Sequence, residues 1–346
     1  NNLYWSWRFI MATLKVNTIS GIGTEGPVLD GGLKFRSENY MTLPKGDTTQ
    51  RGRGRGLFCG GRVGNTVQFI NIQSQGNAID FGDDTGAAET IEGFGLSSST
   101  RAVFGGGVSL NAKMEFVTIA TTGNTASFGN LTVGRRSGCG MSNQTRGVIA
   151  GGIASGPSAS DVMDFVTIAT TANATDFGDL TTATAEAAGL ASPTRGIIAG
   201  GGAGGSGATN TIEFITIASA GNASNFGDLT VVVFAAAGSS SETRGLIMAG
   251  YRSNSIAVTT DFITIASEGN AIDFGDVTQA RGYNGGVSNS IRGVSAGGNA
   301  NPVSLNSNVI DFFDIATTGN ANDFGDLLVA TRVIHGASDS HGGLAE

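Results

Sequence analysis

An all-β chain built as a ring of repeats, a six-bladed β-propeller carrying a small N-terminal extended segment, is the fold class this sequence predicts. Three observations carry the prediction. First, Phe-Gly-Asp, or Phe-Gly-Asn in one case, recurs with its phenylalanine at Phe81, Phe128, Phe177, Phe226, Phe274 and Phe324, so successive steps are 47, 49, 49, 48 and 50 residues. Second, each interval divides into short runs of strand length with no helical periodicity. Third, glycine is abundant, 56 of 346 residues against 5 prolines, without a Gly-x-y period, as a chain of many tight turns requires. A period near 50 residues made of short strands suits a fold in which each repeat is a small sheet that cannot bury its faces alone.

The third unit shows the parts in order. Arg146-Gly147-Val148-Ile149-Ala150 is a short apolar strand closed by Gly151-Gly152. A variable stretch follows, then Asp164-Phe165-Val166-Thr167-Ile168, which alternates between two faces. Asn173-Ala174-Thr175-Asp176-Phe177-Gly178-Asp179 is the third strand, and an alanine- and glycine-rich run ending at Ser192-Pro193-Thr194 reads as the fourth. Double glycines recur at Gly60-Gly61, Gly106-Gly107, Gly151-Gly152, Gly200-Gly201 and Gly297-Gly298, where positive φ or close backbone approach is expected. Repeat arginines at Arg55, Arg101, Arg146, Arg195, Arg244 and Arg292 count six units. Val329 to Ser338 resembles the fourth strands and is expected beside the first unit's strands, joining the ends of the ring.

These residues resemble the kelch repeat: an apolar strand ending in Gly-Gly, a second strand with an aromatic, and a third with a large aromatic a dozen residues later. The resemblance covers residues 55 to about 341, with phenylalanine where kelch units carry Tyr and Trp, since Trp5 and Trp7 both precede the repeats. It implies the propeller and leaves function open, because kelch-like propellers include enzymes and passive binding modules.

The domain reading is three-part. Residues 1–10 precede a natural-looking start at Met11, residues 11–50 form an attachment or oligomerisation segment, and residues 51–346 form the propeller. The run from Lys15 to Val28, with Leu33-Lys34-Phe35 and Tyr40 to Gly46, resembles the N-terminal segment of structural proteins of marine, largely cyanobacterial, bacteriophages. That resemblance implies a virion protein, made in the host cytoplasm, whose leader docks on other virion proteins or forms a homo-oligomer. The propeller is then displayed as a tail fibre, appendage or decoration. Its expected partner is a host-surface glycan or protein. The alternative is a cellular kelch-like interaction scaffold or a carbohydrate-binding propeller.

Charge and chemistry narrow the classes. Residues 1–63 hold nine Lys and Arg against four Asp and Glu, and the remainder holds 11 against 24, for a net charge of −8. An acidic ring is a poor partner for nucleic-acid phosphates, and Arg51, Arg53, Arg55 and Arg62 read as a solvated connector. No apolar run reaches 18 residues, so no membrane span is expected. Cys59 and Cys139 read as two buried free thiols.

His335 and His341 are the only histidines, both read as surface residues, so no catalytic triad, metal centre or cofactor site is expected and the chain is read as a non-enzyme. The Gly-Gly motifs lack the Lys-Ser/Thr of a phosphate-binding loop. The recurring Asp83, Asp179, Asp228, Asp276 and Asp326, with Asn130, read as turn-capping groups, bonded to backbone amides or paired to the repeat arginine. Recognition is expected on the variable segments 62–65, 153–160, 202–210 and 299–308, with no single binding residue singled out.

Overall fold

A computed structural model describes residues 54–86, 91–202, 207–252, 255–300 and 305–344. All lie in the second of two units, Thr49–Glu346, so the readings made for residues 1–10 and 11–50 fall outside the described residues. The described chain is all-β, with one 3-10 turn at Val108–Leu110 and no α-helix. No helix among these residues is long and apolar enough to cross a membrane.

Among the described residues, six antiparallel sheets share one plan, and two small ones, Ile153–Ser155 with Ser158–Ala159 and Val233–Phe234 with Tyr251–Arg252 and Ser255–Ile256, lie outside it. The second sheet is representative: Phe94–Ser97, Arg101–Gly105, Lys113–Thr118 and Ala126–Asn130 pair in that order. Sheets starting from Cys139–Ser142, Ala188–Ala191 and Ala237–Ser240 repeat it, and the sheet starting from Gly285–Ser288 adds short strands at one end. The remaining sheet joins the two ends of the repeat region, because Ile334–Ser338 pairs with Arg55–Gly60 as its first strand. The C-terminal run thus lies where the sequence places it, although Leu328 to Thr331 continue the preceding outer strand, Asn322–Thr331.

One correction concerns phase. The alanine- and glycine-rich run of each unit is not the fourth strand of its own sheet but the first strand of the next, as Ala188–Ala191 pairing with Arg195–Ala199 shows. The link between them, Ser192 to Thr194, is a tight turn, whereas the longer stretch 180–187 separates the run from the preceding Phe-Gly-Asp strand, Thr175–Asp179. Short loops favour hairpin pairing, so the run joins the strand that follows it.

First strands contact one another in a closed sequence: Phe94–Ser97, Cys139–Ser142, Ala188–Ala191, Ala237–Ser240, Gly285–Ser288, Ile334–Ser338 and back to Phe94–Ser97. Each carries a glycine at the contact. A Cβ on Gly140, Gly189, Gly238, Gly286, Gly336 or Gly95 would collide with the carbonyl of the preceding glycine in that cycle. The core is divided the same way. One cluster of buried apolar side chains lies between each pair of neighbouring sheets, and the sixth, with Val287, Phe324 and Ile70, lies between the last sheet and the first.

The repeat motif serves these junctions. The motif phenylalanines are 2–3% exposed, and each meets the third-strand phenylalanine of its own sheet edge-on, Phe165 to Phe177 at 6.1 Å and 74° for instance. The motif asparagine of each unit accepts the backbone N–H of the residue after the previous unit's Phe-Gly, at 2.9–3.1 Å in all six cases. The repeat arginine lies over its own sheet's third-strand phenylalanine, 4.3–5.2 Å from the ring centre, and donates to an isoleucine carbonyl of the next sheet at 2.8–3.1 Å. Arginine therefore does not pair with the motif Asp. Asp83, Asp179 and Asp228 hold exposed side chains and engage the neighbour through their backbone N–H.

Candidate functional site

First strands of all six sheets line one axial cavity with His341. At the end where these strands finish, a serine belt narrows it. Ser142 Oγ donates to Ser97 O at 2.8 Å, Ser97 Oγ to Ser338 O at 2.7 Å, and Ser338 Oγ to Ser288 O at 2.7 Å. The C-terminal tail covers this end. Asp339 accepts the backbone N–H groups of Gly54 and Arg55 at 2.6 and 3.0 Å, Gly342 N–H donates to Ser240 O at 3.0 Å, and Leu344 is buried. Glycine is required at Gly342 and Gly343, where a Cβ would strike the carbonyls of Ser241 and Ser142 from two different sheets.

The two histidines are half-buried rather than freely exposed, and they do not meet. His341 lines the axial cavity under the tail; its Nδ1 accepts the Gly343 N–H at 3.1 Å, so Nε2 carries the proton and faces Ser97 O at 3.1 Å. Burial pushes its pKa down to about 4. His335 stands at the other end, accepting the Gly93 N–H through Nε2 at 2.8 Å.

That other end is the mouth. The residue two before each first strand's inner run is non-glycine with left-handed φ: Glu92 at 62°, Ser137 at 57°, Glu186 at 59°, Ala235 at 54°, Tyr283 at 56° and Val333 at 64°. Left-handed backbone costs a non-glycine residue about 1–2 kcal/mol. Here it recurs in step from sheet to sheet because five of the six, all but Glu92, donate their N–H to the carbonyl of the one before, as Glu186 does to Ser137 at 2.8 Å and Tyr283 to Ala235 at 2.8 Å. The six residues line one pocket with His335 and Asn284.

Three kinds of chemistry converge there. Glu92 forms an ion pair with Arg136, whose side chain is 34% exposed. Glu186 accepts the Tyr283 hydroxyl at 3.1 Å through Oε1. Burial raises the Glu186 pKa, Tyr283 opposes the shift, and Glu92 adds to it. Burial beside that carboxylate likewise raises the Tyr283 pKa, keeping it a hydroxyl donor. Tyr283 meets Tyr251 edge-on at 5.6 Å, and Tyr251 stacks on Phe234 at 5.0 Å.

Strand direction puts the described residues of the variable segments on this same face, since second strands run toward the mouth and third strands away from it. Beneath the loops lie buried ion pairs, Arg135 with Asp164 at 3.0 Å, Arg252 with Asp261 at 3.1 Å and Arg281 with Asp311 at 2.6 Å. The aspartates also anchor a threonine of the preceding unit, Thr230 Oγ1 to Asp261 Oδ1 at 2.8 Å for example. They occupy the position before the third-strand phenylalanine, filled elsewhere by Gln68, Glu115 and Glu213, a repeat feature the sequence reading did not single out.

Cys59 and Cys139 are free and buried, with thiol pKa values raised by burial, that of Cys139 to about 12. The double glycines adopt positive φ, and Ala249 takes 60° where the fifth unit lacks the first glycine. Among the described residues, no group of three His, Cys, Asp or Glu side chains is placed to hold a metal ion. No known family model matches the chain, and no curated protein is similar to it.

Proposed function

We propose that this chain is a six-bladed, kelch-like β-propeller that acts as a non-enzymatic recognition module, binding its partner on the mouth face. The observation that carries the reading is the difference between the two ends of the first strands: the tail with His341 packs on one, and at the other the six left-handed residues line a separate pocket among loops of unequal length. Strained backbone held in place by its surroundings is characteristic of binding surfaces. A concave pocket with a few convergent polar groups is the usual form of a ligand site. The closed sequence of first-strand contacts and the six inter-sheet cores support the propeller.

The setting in this proposal is a bacteriophage virion, with the chain as a tail fibre, appendage or decoration meeting the host surface. It rests on the resemblance of the leader and on a surface solvated by Ser, Thr and Asn rather than by charge, only 14% of residues being charged.

Adsorption of the labelled full chain to a panel of marine bacteria tests the binding face. Tyr283→Ala at the mouth is expected to reduce adsorption at least tenfold, while Thr145→Ala on the tail-covered face leaves it unchanged. The reverse pattern overturns the proposal.

A further inference from the structure

Exposed aliphatic side chains are distributed unevenly over the described residues. Of the eight large ones, Val63, Val133, Val231, Leu305, Leu328 and Val329 lie on mouth-side connections or the strand ends beside them, each 39–55% exposed. Only Ile79 and Ile272, which begin outer strands, lie elsewhere. Val133, Val231 and Val329 stand three residues past Asn130, Asp228 and Asp326, so they are equivalent positions in alternate units. Aliphatic groups clustered on one face of an otherwise polar ring mark an interaction surface.

The pocket inside this rim has the opposite character. Its walls carry two carboxylates, Glu92 and Glu186, and no guanidinium; Arg136, outside the lining, pairs with Glu92. Glu186 has a single hydrogen-bond partner, the neutral Tyr283 hydroxyl, and that contact uses Oε1, leaving Oε2 to an incoming donor. The aromatic cluster of Tyr283, Tyr251 and Phe234 adjoins it. A half-buried carboxylate beside aromatic rings favours a compact cation, through charge and through the ring quadrupole. Carbohydrate alone does not account for the aliphatic rim, whereas protein interfaces combine an apolar surround with a central pocket filled by one anchoring side chain.

We infer that the mouth face binds a protein segment that inserts a lysine ammonium against Glu186 and Tyr283 while the lysine's apolar neighbours pack on Val133, Val231 and Val329. The inference rests on the proposal that the mouth is the recognition face and supplies the partner's chemistry. The charge contact predicts binding that weakens as salt rises.

Calorimetry on the full chain tests it, with the peptide Ac-Ser-Val-Lys-Val-Ser-amide, the same peptide acetylated on lysine, and glucosamine oligomers as the amine from a sugar. The lysine peptide is expected to bind, acetylation to weaken it at least tenfold, and Glu186→Gln to do the same at unchanged melting temperature. Replacing Val133, Val231 and Val329 together by Ser is expected to weaken the peptide but not Nα-acetyl-lysine methylamide. Equal binding of the acetylated peptide, indifference to Glu186→Gln, or binding of glucosamine oligomers in place of the peptide each overturns the inference. If the lysine peptide is silent while Tyr283→Ala still abolishes adsorption, the recognition face stands and the lysine anchor falls; if both fail, the face falls too.

Discussion

At the scale of single residues, the motif phenylalanines and one histidine have the clearest energetic consequences. Phe177 is 2% exposed and packed edge-on against Phe165. Phe177→Ala is expected to cost about 3–5 kcal/mol, read as a lowered denaturant midpoint at unchanged m. His341 contributes through pH. Its folded pKa is about 4 against an ordinary 6.5, so the unfolded chain binds the proton first as pH falls. The stabilisation is fully present above 6.5 and is lost between 6.5 and 4, by about 3 kcal/mol at most. Glu186 and Glu213, whose pKa values burial raises, act with the opposite sign. The readout is therefore the difference between wild type and His341→Ala: the gap in melting temperature should be wide at pH 7 and narrow at pH 4.5.

The elements were legible in unequal measure. Strand lengths, the glycine turns and the buried phenylalanines could be read because they repeat as residue types. The phase of the sheets could not, since the run at Ala188–Ala191 has a strand's composition wherever it pairs and only the length of its flanking turns decides. The mouth was illegible for a different reason. Its six positions are filled by Glu, Ser, Glu, Ala, Tyr and Val, residues with nothing in common but a backbone conformation. The same comparison of equivalent positions exposes an irregularity in the serine belt, where Ala191 replaces the serine found at Ser97, Ser142, Ser240, Ser288 and Ser338. A hydroxyl there would donate to Ser142 O as Ser142 Oγ does to Ser97 O. Ala191→Ser is expected to stabilise by about 0.5–1.5 kcal/mol, seen as a raised melting temperature.

For the whole molecule, the pairing of Ile334–Ser338 with Arg55–Gly60 is the joint that holds the two ends of the repeat region together. Removing residues 334–346 exposes the edge of Arg55–Gly60 and one face of the core formed with Val287 and Phe324. Open edges recruit other chains. The truncated protein is expected to aggregate or to lose its single cooperative melt, whereas a chain ending at Asp339 should keep the fold and lose only the cover over the axial cavity. The leader belongs to this scale as well. If it makes the assembly contact, residues 48–346 alone should scatter light as a smaller species than the full chain and fail to join particles; equal assembly by both would refute it.

The one-strand offset between sequence unit and sheet also bears on how such a gene changes in number of copies. Recombination between two repeats at matching positions removes one whole period, wherever in the period the crossover falls. Because every sheet takes its first strand from the unit before it, the segment lost amounts to three strands of one sheet and the first strand of the next. The surviving units meet with the same offset, and the Asn-to-backbone link and the arginine bridge re-form across the new junction. What resists the deletion is the inner circle of glycines, whose carbonyls already sit as close as backbone allows. Repeats are thus interchangeable in sequence, while the cycle of first-strand contacts ties each one to two neighbours.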